Sequence, residues 1–224
     1  MNTQVLPREL EDAYKVLGGL VGRAVGMPAQ KPVRSGTERT RNEYRDSVIE
    51  SIELLHDALE RRLSADTVGH SDQIARALID SGGYFWSKLA DDYDGLSEYG
   101  QRFALEKMRI AAVGAAEAII SLADEMSWSW IAAEVQLLDW SANRGQRGRI
   151  DLLGWNGEAI TVVDVKTARN IPSEARPGDA DQLRKYTRDL RVAAPLHRFK
   201  ARVLYVDHAG QTETYRINVR PGLA

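Results

Sequence analysis

The chain of 224 residues contains no cysteine, and this absence removes several classes of site. Disulfide bonds, thiolate zinc sites and cysteine-ligated iron–sulfur clusters all require that residue. Near the N-terminus the longest apolar stretch, residues 16–22, is far too short to span a bilayer, and Arg23 ends it. The first residues are polar and acidic, unlike a secretory signal peptide. We therefore expect a cytoplasmic protein that does not contact a membrane.

What is present is an ordinary globular composition, 43% hydrophobic and 28% charged. The length suits one elaborated domain or two small units that share a core. The net charge of −2 is unevenly distributed, because residues 1–133 carry −6 and residues 134–224 carry +4. Either the basic half faces a polyanion, or folding mixes the two halves in space and the asymmetry has no functional meaning.

The hydrophobic pattern changes near Trp128. Before it, helical periodicity predicts helices at residues 6–25, from 35 or 37 to about 63, at about 71–90 and at 97–126. After it come short runs rich in β-branched residues, at residues 131–138, 149–155 and 159–167. The two longer runs are apolar on both faces, so we expect central strands there. We expect a helical region over residues 1–127 and a core over residues 128–224.

The end of the chain has the pattern of a helix followed by a hairpin. A helix opened by Asp179 or Asp181 precedes Pro195. The segment RVLYVDHAGQTETYRINV then predicts a strand, a turn near residues 209–210 and a second strand.

Four charged residues stand at strand positions. Asp164 and Lys166 flank Val165, and side chains two residues apart in a strand share a face. Taken alone, such a pair is usually a solvated ion pair. However, a hairpin would bring Asp151 beside Asp164, and Glu134 lies in a third apolar run. Carboxylates in such positions are costly to bury unless a cation offsets their charge.

These residue types suit a hard divalent cation. Mg²⁺ or Mn²⁺ binds a few carboxylate oxygens and keeps several waters. Such an ion lowers the pKa of a bound water and stabilises charge on a phosphate. Lys166 would orient the attacking water or neutralise the transition state. We expect one or two ions held by Asp151, Asp164, Glu134 and the Val165 carbonyl.

At this point the chain resembles a known family. Glu134, GRID with Asp151, and VVDVKT with Asp164 and Lys166 are similar to the PD-(D/E)xK nuclease core. The following QLRKY resembles the Q-x-x-x-Y motif of the RecB/Cas4-like exonuclease branch. The resemblance covers about residues 131–206. It implies an α/β restriction-endonuclease-like fold, with a mixed sheet flanked by helices. It also implies Mg²⁺- or Mn²⁺-dependent cleavage of DNA, without an iron–sulfur cluster.

The resemblance assigns roles to Gln182 and Tyr186. Gln182 would fix the active-site lysine or the DNA backbone, and Tyr186 would line the site. The two residues share one helix face, where simple packing of Tyr186 beside Leu183 and Leu190 is the alternative.

The same branch carries an upstream histidine as an additional metal ligand. His56, in LLHDALERRL, matches this position, although the preceding glycine is missing. His70 is the alternative match. A helical histidine is more often packed or solvated than a ligand.

Two basic groups accompany the predicted site. The segment NRGQRGR over residues 143–149 would form a loop whose arginines reach a phosphate chain, and the later helix is also basic. The alternative is a solvated charged face. The candidate DNA contacts are Arg144, Arg147, Arg149, Arg184 and Lys185.

The sequence therefore favours a DNA exonuclease acting in recombination, repair, phage or CRISPR-related processing. The rivals are a restriction-type endonuclease and a non-catalytic nucleic-acid-binding or assembly module on the same fold. The intact acids and lysine speak against the module. The partner expected for the helical region is a helicase or another DNA-processing subunit.

Overall fold

A computed structural model describes residues 8–26, 45–46, 48–50, 53, 92–138 and 146–219. Its main elements, in chain order, are helices α1 (Arg8–Gly26) and α2 (Glu98–Glu125), strands β1 (Trp130–Leu138), β2 (Gln146–Trp155) and β3 (Ala159–Thr167), helix α3 (Pro177–Ala193), and strands β4 (Arg198–Val206) and β5 (Thr212–Ile217). The predicted helix at 71–90 lies outside the described residues. Within the predicted helix ending near 63, residues 45–46, 48–50 and 53 are helical.

The five strands form one mixed sheet in the order β1-β2-β3-β4-β5. β3 and β4 are parallel, and the other three neighbouring pairs are antiparallel. Parallel neighbours need a crossover, which α3 supplies. The antiparallel β2–β3 hairpin turns at Asn156, whose Oδ1 accepts hydrogen bonds from the N–H groups of Glu158 and Ala159. This mixed sheet, flanked by helices and preceded by a helical region, confirms the restriction-endonuclease-like fold class.

Each face of the sheet has its own core. The α1–α2 core joins both long helices to one face; its members include Leu17, Leu20, Met108, Ile119, Leu152 and Val163. The α3 core covers the other face; its members include Ile150, Val162, Leu183, Tyr186, Val203 and Tyr205. Since helices before residue 127 share a core with the sheet, the two predicted regions pack together, while their division into domains stays a prediction.

Several expectations hold and others are wrong. β3 has the predicted bounds, and it is a central strand. The expectation that residues 131–138 form a central strand is wrong, because among the described residues β1 pairs only with β2. Its apolar pattern has another cause: Ile131 packs in the α1–α2 core, whereas Val135 and Leu137 pack against the α3 core.

Two predicted boundaries are also wrong. β2 begins at Gln146 rather than at Arg149, so Arg147 lies in a strand rather than in a loop. Neither Asp179 nor Asp181 opens α3, whose N-cap is Arg176 and whose first residue is Pro177. A proline suits this position because its fixed φ is helical and its missing N–H has no partner to lose there.

No helix among the described residues is both long and apolar enough to cross a membrane.

Gly154 tests how tightly the α1–α2 side is packed. A Cβ added there would lie 2.1 Å from Cε2 of the buried Trp128. Gly154→Ala should therefore lower the free energy of unfolding by about 1–3 kcal/mol through overpacking. The measurement is urea unfolding followed by circular dichroism.

Gly22→Ala is the matched control. In α1 a Cβ at Gly22 meets no atom of the described residues within 4 Å, so the same substitution should be neutral or stabilise by up to about 1 kcal/mol. Equal unfolding midpoints for the two variants would contradict the packing described here.

Candidate active site

Asp164 and Lys166 lie side by side on the face of β3 that α3 covers. Val163 and Val165, which alternate with them, pack in or against the α1–α2 core. Nζ of Lys166 is 2.9 Å from Oδ2 of Asp164, and the Asp164 side chain is only 2% exposed. The predicted sharing of one face is confirmed.

Asp151 is held beside Asp164 by the β2–β3 hairpin. The register pairs Leu152 with Val163, and Asp151 and Asp164 are the next residues along the two strands. Oδ2 of Asp151 accepts a hydrogen bond of 2.8 Å from the N–H of Val165. A carboxylate thus takes the place of a backbone acceptor at this point.

Strand β2 departs from regular alternation around Asp151. Ile150 and Leu153 both belong to the α3 core although they are three residues apart. Strict alternation would put them on opposite faces. The irregularity is local, and it coincides with the place where the Asp151 carboxylate reaches the backbone of β3.

Burial and neighbouring charges shift the pKa values of Asp164 and Lys166. Burial, together with the charge of Asp151, raises the pKa of Asp164 to about 7 although Lys166 acts in the opposite direction. Burial lowers the pKa of Lys166, but the Asp164 carboxylate outweighs burial and the net direction is upward. Lys166 is therefore protonated at neutral pH, whereas Asp164 titrates close to neutral pH.

Gln182 and Tyr186 of α3 complete a hydrogen-bonded chain. Nζ of Lys166 donates to Oε1 of Gln182 over 3.0 Å, and Nε2 of Gln182 donates to the Tyr186 hydroxyl over 2.8 Å. The Tyr186 ring lies over Gly148 of β2, where a Cβ would approach Cε1 to 2.7 Å. A glycine is thus needed for this close approach, and the chain links α3 to the lysine.

The residues present fit a divalent cation. Oδ2 of Asp164 is buried and receives no hydrogen bond within the described part of the chain, although Lys166 forms an ion pair with it. Asp151 adds a second carboxylate, whose charge acts on Asp164. Among described side chains, no group of three His, Cys, Asp or Glu is arranged for a metal. A third carboxylate or imidazole ligand would come from a side chain outside the described ones.

Glu134 is a candidate for that third ligand. Its neighbours Ala133 and Val135 pair with Leu152 and Ile150, so its backbone stands opposite Asp151 in the register. The side chain of Glu134 lies outside what the structure describes. Its role as a ligand, like that of the Val165 carbonyl, stays a prediction.

The remaining predicted site residues differ in how far the structure reaches them. His56, His70 and Arg144 lie outside the described residues, as does the side chain of Arg147. Arg149 is partly buried in β2. Arg184 and Lys185 are exposed on α3, where Arg184 forms an ion pair of 2.6 Å with Asp181.

Sequence reasoning missed Asp179 and Tyr205. The Tyr205 hydroxyl donates to Oδ2 of Asp179 over 2.6 Å, and the negative charge of Asp179 acts on both Asp164 and Lys166. A usable signal existed for Asp179, because it lies three residues before Gln182 and so on the same helix face. No local signal links Tyr205 to it, since 26 residues separate the two.

Similar solved structures include the crystal structure of SSO0001, which is 18% identical over 74% of this chain and 75% of that chain, with a TM-score of 0.35. Protein VC1899 from Vibrio cholerae is 16% identical and matches 91% of this chain but only 48% of that chain, with a TM-score of 0.29. Likenesses this weak carry no argument about function. No curated protein sequence matches significantly.

The family comparison is more extensive. The model of the PD-(D/E)XK nuclease superfamily matches residues 53–220, which is three-quarters of the chain. The match includes all five strands and every residue of the hydrogen-bonded chain from Lys166 to Tyr186. The chain belongs to the PD-(D/E)XK nuclease superfamily.

Proposed function

We propose that this protein is a Mg²⁺- or Mn²⁺-dependent deoxyribonuclease whose catalytic residues are Asp151, Asp164 and Lys166. Enzymes of this superfamily typically hydrolyse phosphodiester bonds of nucleic acids and generally use divalent metal ions. The observation that carries the proposal is the buried Asp164 carboxylate beside Asp151, with the Lys166 ammonium 2.9 Å away.

Asp151 and Asp164 would hold the metal ion, and Glu134, the Val165 carbonyl and His56 are proposed as further ligands. When bound, the ion supplies an activated water and stabilises negative charge on the phosphate. Oδ2 of Asp151 already accepts from the Val165 N–H, so its carboxylate has a fixed orientation. A fixed carboxylate reduces the conformational entropy lost on binding.

Lys166 would act on the reacting phosphate. Its side chain is 28% exposed, so we infer that the ammonium can reach substrate while it stays paired with Asp164. Gln182 accepts a hydrogen bond from Nζ and so limits where the ammonium can lie. Tyr186 in turn holds the Gln182 amide. We infer that these contacts direct Lys166 toward the attacking water or toward the charge that grows on the phosphate.

The exposed basic residues of α3 support a nucleic acid as substrate. Arg184 and Lys185 follow Gln182 within one helical turn, so a strand bound at the site would pass close to them. We propose that both contact phosphates, together with Arg144, Arg147 and Arg149 from the segment before and within β2. Such contacts add affinity that falls with salt but carry no sequence preference.

The finer proposal is an exonuclease of the RecB/Cas4-like branch, acting in recombination, repair, phage or CRISPR-related processing. Its support is the Gln182–Tyr186 pair, four residues apart on α3, with Gln182 bound to the lysine.

The activity is tested with end-labelled single- and double-stranded DNA, and RNA of the same sequence, incubated with Mn²⁺, Mg²⁺ or chelator. Wild type should cleave DNA only with metal. Lys166→Ala should lower the cleavage rate by at least about 100-fold while DNA affinity stays within about threefold, because the lysine acts mainly in the transition state.

Lys15→Ala is the control, since Lys15 is an exposed lysine of α1 paired with Asp12. It should retain the wild-type rate. Equal losses of binding and cleavage in Lys166→Ala would make Lys166 a simple phosphate contact, and cleavage in chelator would contradict the metal-dependent mechanism.

Metal binding should depend on pH through Asp164. Below pH 7 this carboxyl keeps its proton in the metal-free protein, because burial and Asp151 raise its pKa to about 7. A metal must displace that proton, so Mn²⁺ affinity should rise by up to about tenfold per pH unit from pH 5 and level off above pH 7.

Titration calorimetry in two buffers of different ionisation enthalpy counts the proton directly. Wild type should release more protons per Mn²⁺ at pH 6 than at pH 8, and Asp164→Asn should lose this difference. Proton release that is the same at both pH values in wild type would show that the metal displaces no proton from Asp164.

Linear and covalently closed forms of one plasmid, and of one single-stranded circle, separate the two modes of cleavage. An exonuclease degrades the linear forms and spares the closed ones, because it needs an end. Cleavage of closed circles at a comparable rate would replace the exonuclease proposal with an endonuclease.

A further inference from the structure

Tyr205 is a fully buried tyrosine at the end of β4, and the register pairs it with Lys166 of β3. Its hydroxyl makes two hydrogen bonds to the start of α3. It donates to Oδ2 of Asp179 over 2.6 Å and accepts from the backbone N–H of Arg176 over 3.0 Å. We call this pair of bonds the Tyr205 anchor.

The Tyr205 anchor supplies a hydrogen-bond acceptor at the start of α3, where a helix usually has one from its own N-cap side chain. The first N–H groups of a helix lack acceptors, and a polar N-cap side chain usually supplies one. The N-cap of α3 is Arg176, which makes no side-chain capping bond. The Arg176 guanidinium instead lies 5.5 Å from the centroid of the Tyr205 ring. The first turn of α3 is therefore fixed from the sheet.

This first turn determines where Gln182 stands. Gln182 follows Asp179 by three residues, less than one turn, in a helix that is regular from Pro177 to Ala193. A shift of the first turn would move the Gln182 amide relative to Lys166, whose Nζ it binds at 3.0 Å. Tyr205 and Lys166 are on adjacent paired strands, so the two ends of this connection share one rigid frame.

We propose that Tyr205 is a positioning residue, which holds α3 through Asp179 and Arg176 so that Gln182 keeps Lys166 aligned for catalysis. The inference rests on the proposed nuclease function. Burial and the bond to Asp179 raise the pKa of Tyr205 to about 12, so its hydroxyl remains a donor throughout the working pH range.

The geometry favours this role of Asp179 over that of a metal ligand. Its Oδ2 receives the Tyr205 hydroxyl, and Asp151, Asp164 and Asp179 do not form a metal-binding group among the described side chains. Asp179 therefore acts through its hydrogen bond and through its charge, which two substitutions can separate.

Tyr205→Phe removes the hydroxyl and keeps the ring. We expect kcat with saturating Mn²⁺ to fall about tenfold, with KM within about twofold, because the loss is in alignment rather than in substrate binding. Tyr215→Phe is the matched control: the Tyr215 ring packs 5.8 Å from that of Tyr205, but its hydroxyl bonds the carbonyl of Pro172, before α3. An equal loss of kcat in both variants would overturn the proposal.

Asp179 distinguishes hydrogen bonding from charge. An asparagine can still accept from Tyr205, so Asp179→Asn should keep kcat within about threefold, whereas Asp179→Ala should match Tyr205→Phe. If the asparagine variant is as slow as the alanine variant, the charge of Asp179 rather than its hydrogen bond to Tyr205 determines kcat, and the proposal fails.

A double-mutant cycle tests whether the anchor acts through Gln182. In a Gln182→Ala background, Tyr205→Phe should cost little further activity, because the connection is already cut. Multiplicative losses would mean that Tyr205 acts independently of Gln182, contrary to the proposal.

One readout needs no activity at all. In the metal-free protein, the side-chain amide NMR signals of Gln182, assigned with Gln182→Ala, should shift and broaden in Tyr205→Phe but not in Tyr215→Phe. Unchanged Gln182 signals would overturn the positioning role even if the protein cleaves DNA. Changed signals in a protein without nuclease activity would refute the function and leave the anchor intact.

Discussion

A buried carboxylate beside a second carboxylate is expensive, and the site is organised around offsetting that cost. Asp164 is 2% exposed, and both its burial and the neighbouring Asp151 disfavour its charged form. Lys166, whose Nζ is 2.9 Å from Oδ2 of Asp164, offsets part of that cost with its positive charge. The sheet register imposes this proximity, because Asp151 and Asp164 follow directly on a paired hairpin. A divalent cation bound here would offset the negative charge of the Asp151 and Asp164 carboxylates.

The two faces of the sheet divide the work of holding the site. The α1–α2 core fixes β2 and β3 from one side through residues such as Leu152 and Val163. On the other side, α3 brings Gln182 and Tyr186 to Lys166, while Tyr205 holds the first turn of the same helix. Side chains fixed by packing and by further hydrogen bonds keep reactive groups in one geometry. Gly148 permits the close approach of Tyr186 on which this depends.

The sequence was informative where short-range rules apply. Alternation along β3 predicted Asp164 and Lys166 on one face, and the predicted hairpin placed Asp151 beside them. It was uninformative where the answer lay in long-range contacts. β1 carries apolar residues on both faces, as a central strand does, although it lies at the edge of the described sheet. Asp179 was predicted to begin the helix because no local pattern indicates its hydrogen bond to Tyr205. Pro177, a residue type favoured at the first helical position, marks the observed start of α3.

We propose that Asp151 and Asp164 jointly hold a divalent cation. Crystals soaked in Mn²⁺ and measured at a wavelength with manganese anomalous scattering test it directly. If both aspartates hold the ion, an anomalous peak lies about 2.0–2.3 Å from a carboxylate oxygen of each. In Asp164→Asn crystals under the same conditions this peak should be lost. A wild-type map without a peak between the two carboxylates, in crystals that bind manganese elsewhere or not at all, would contradict a metal site held by Asp151 and Asp164.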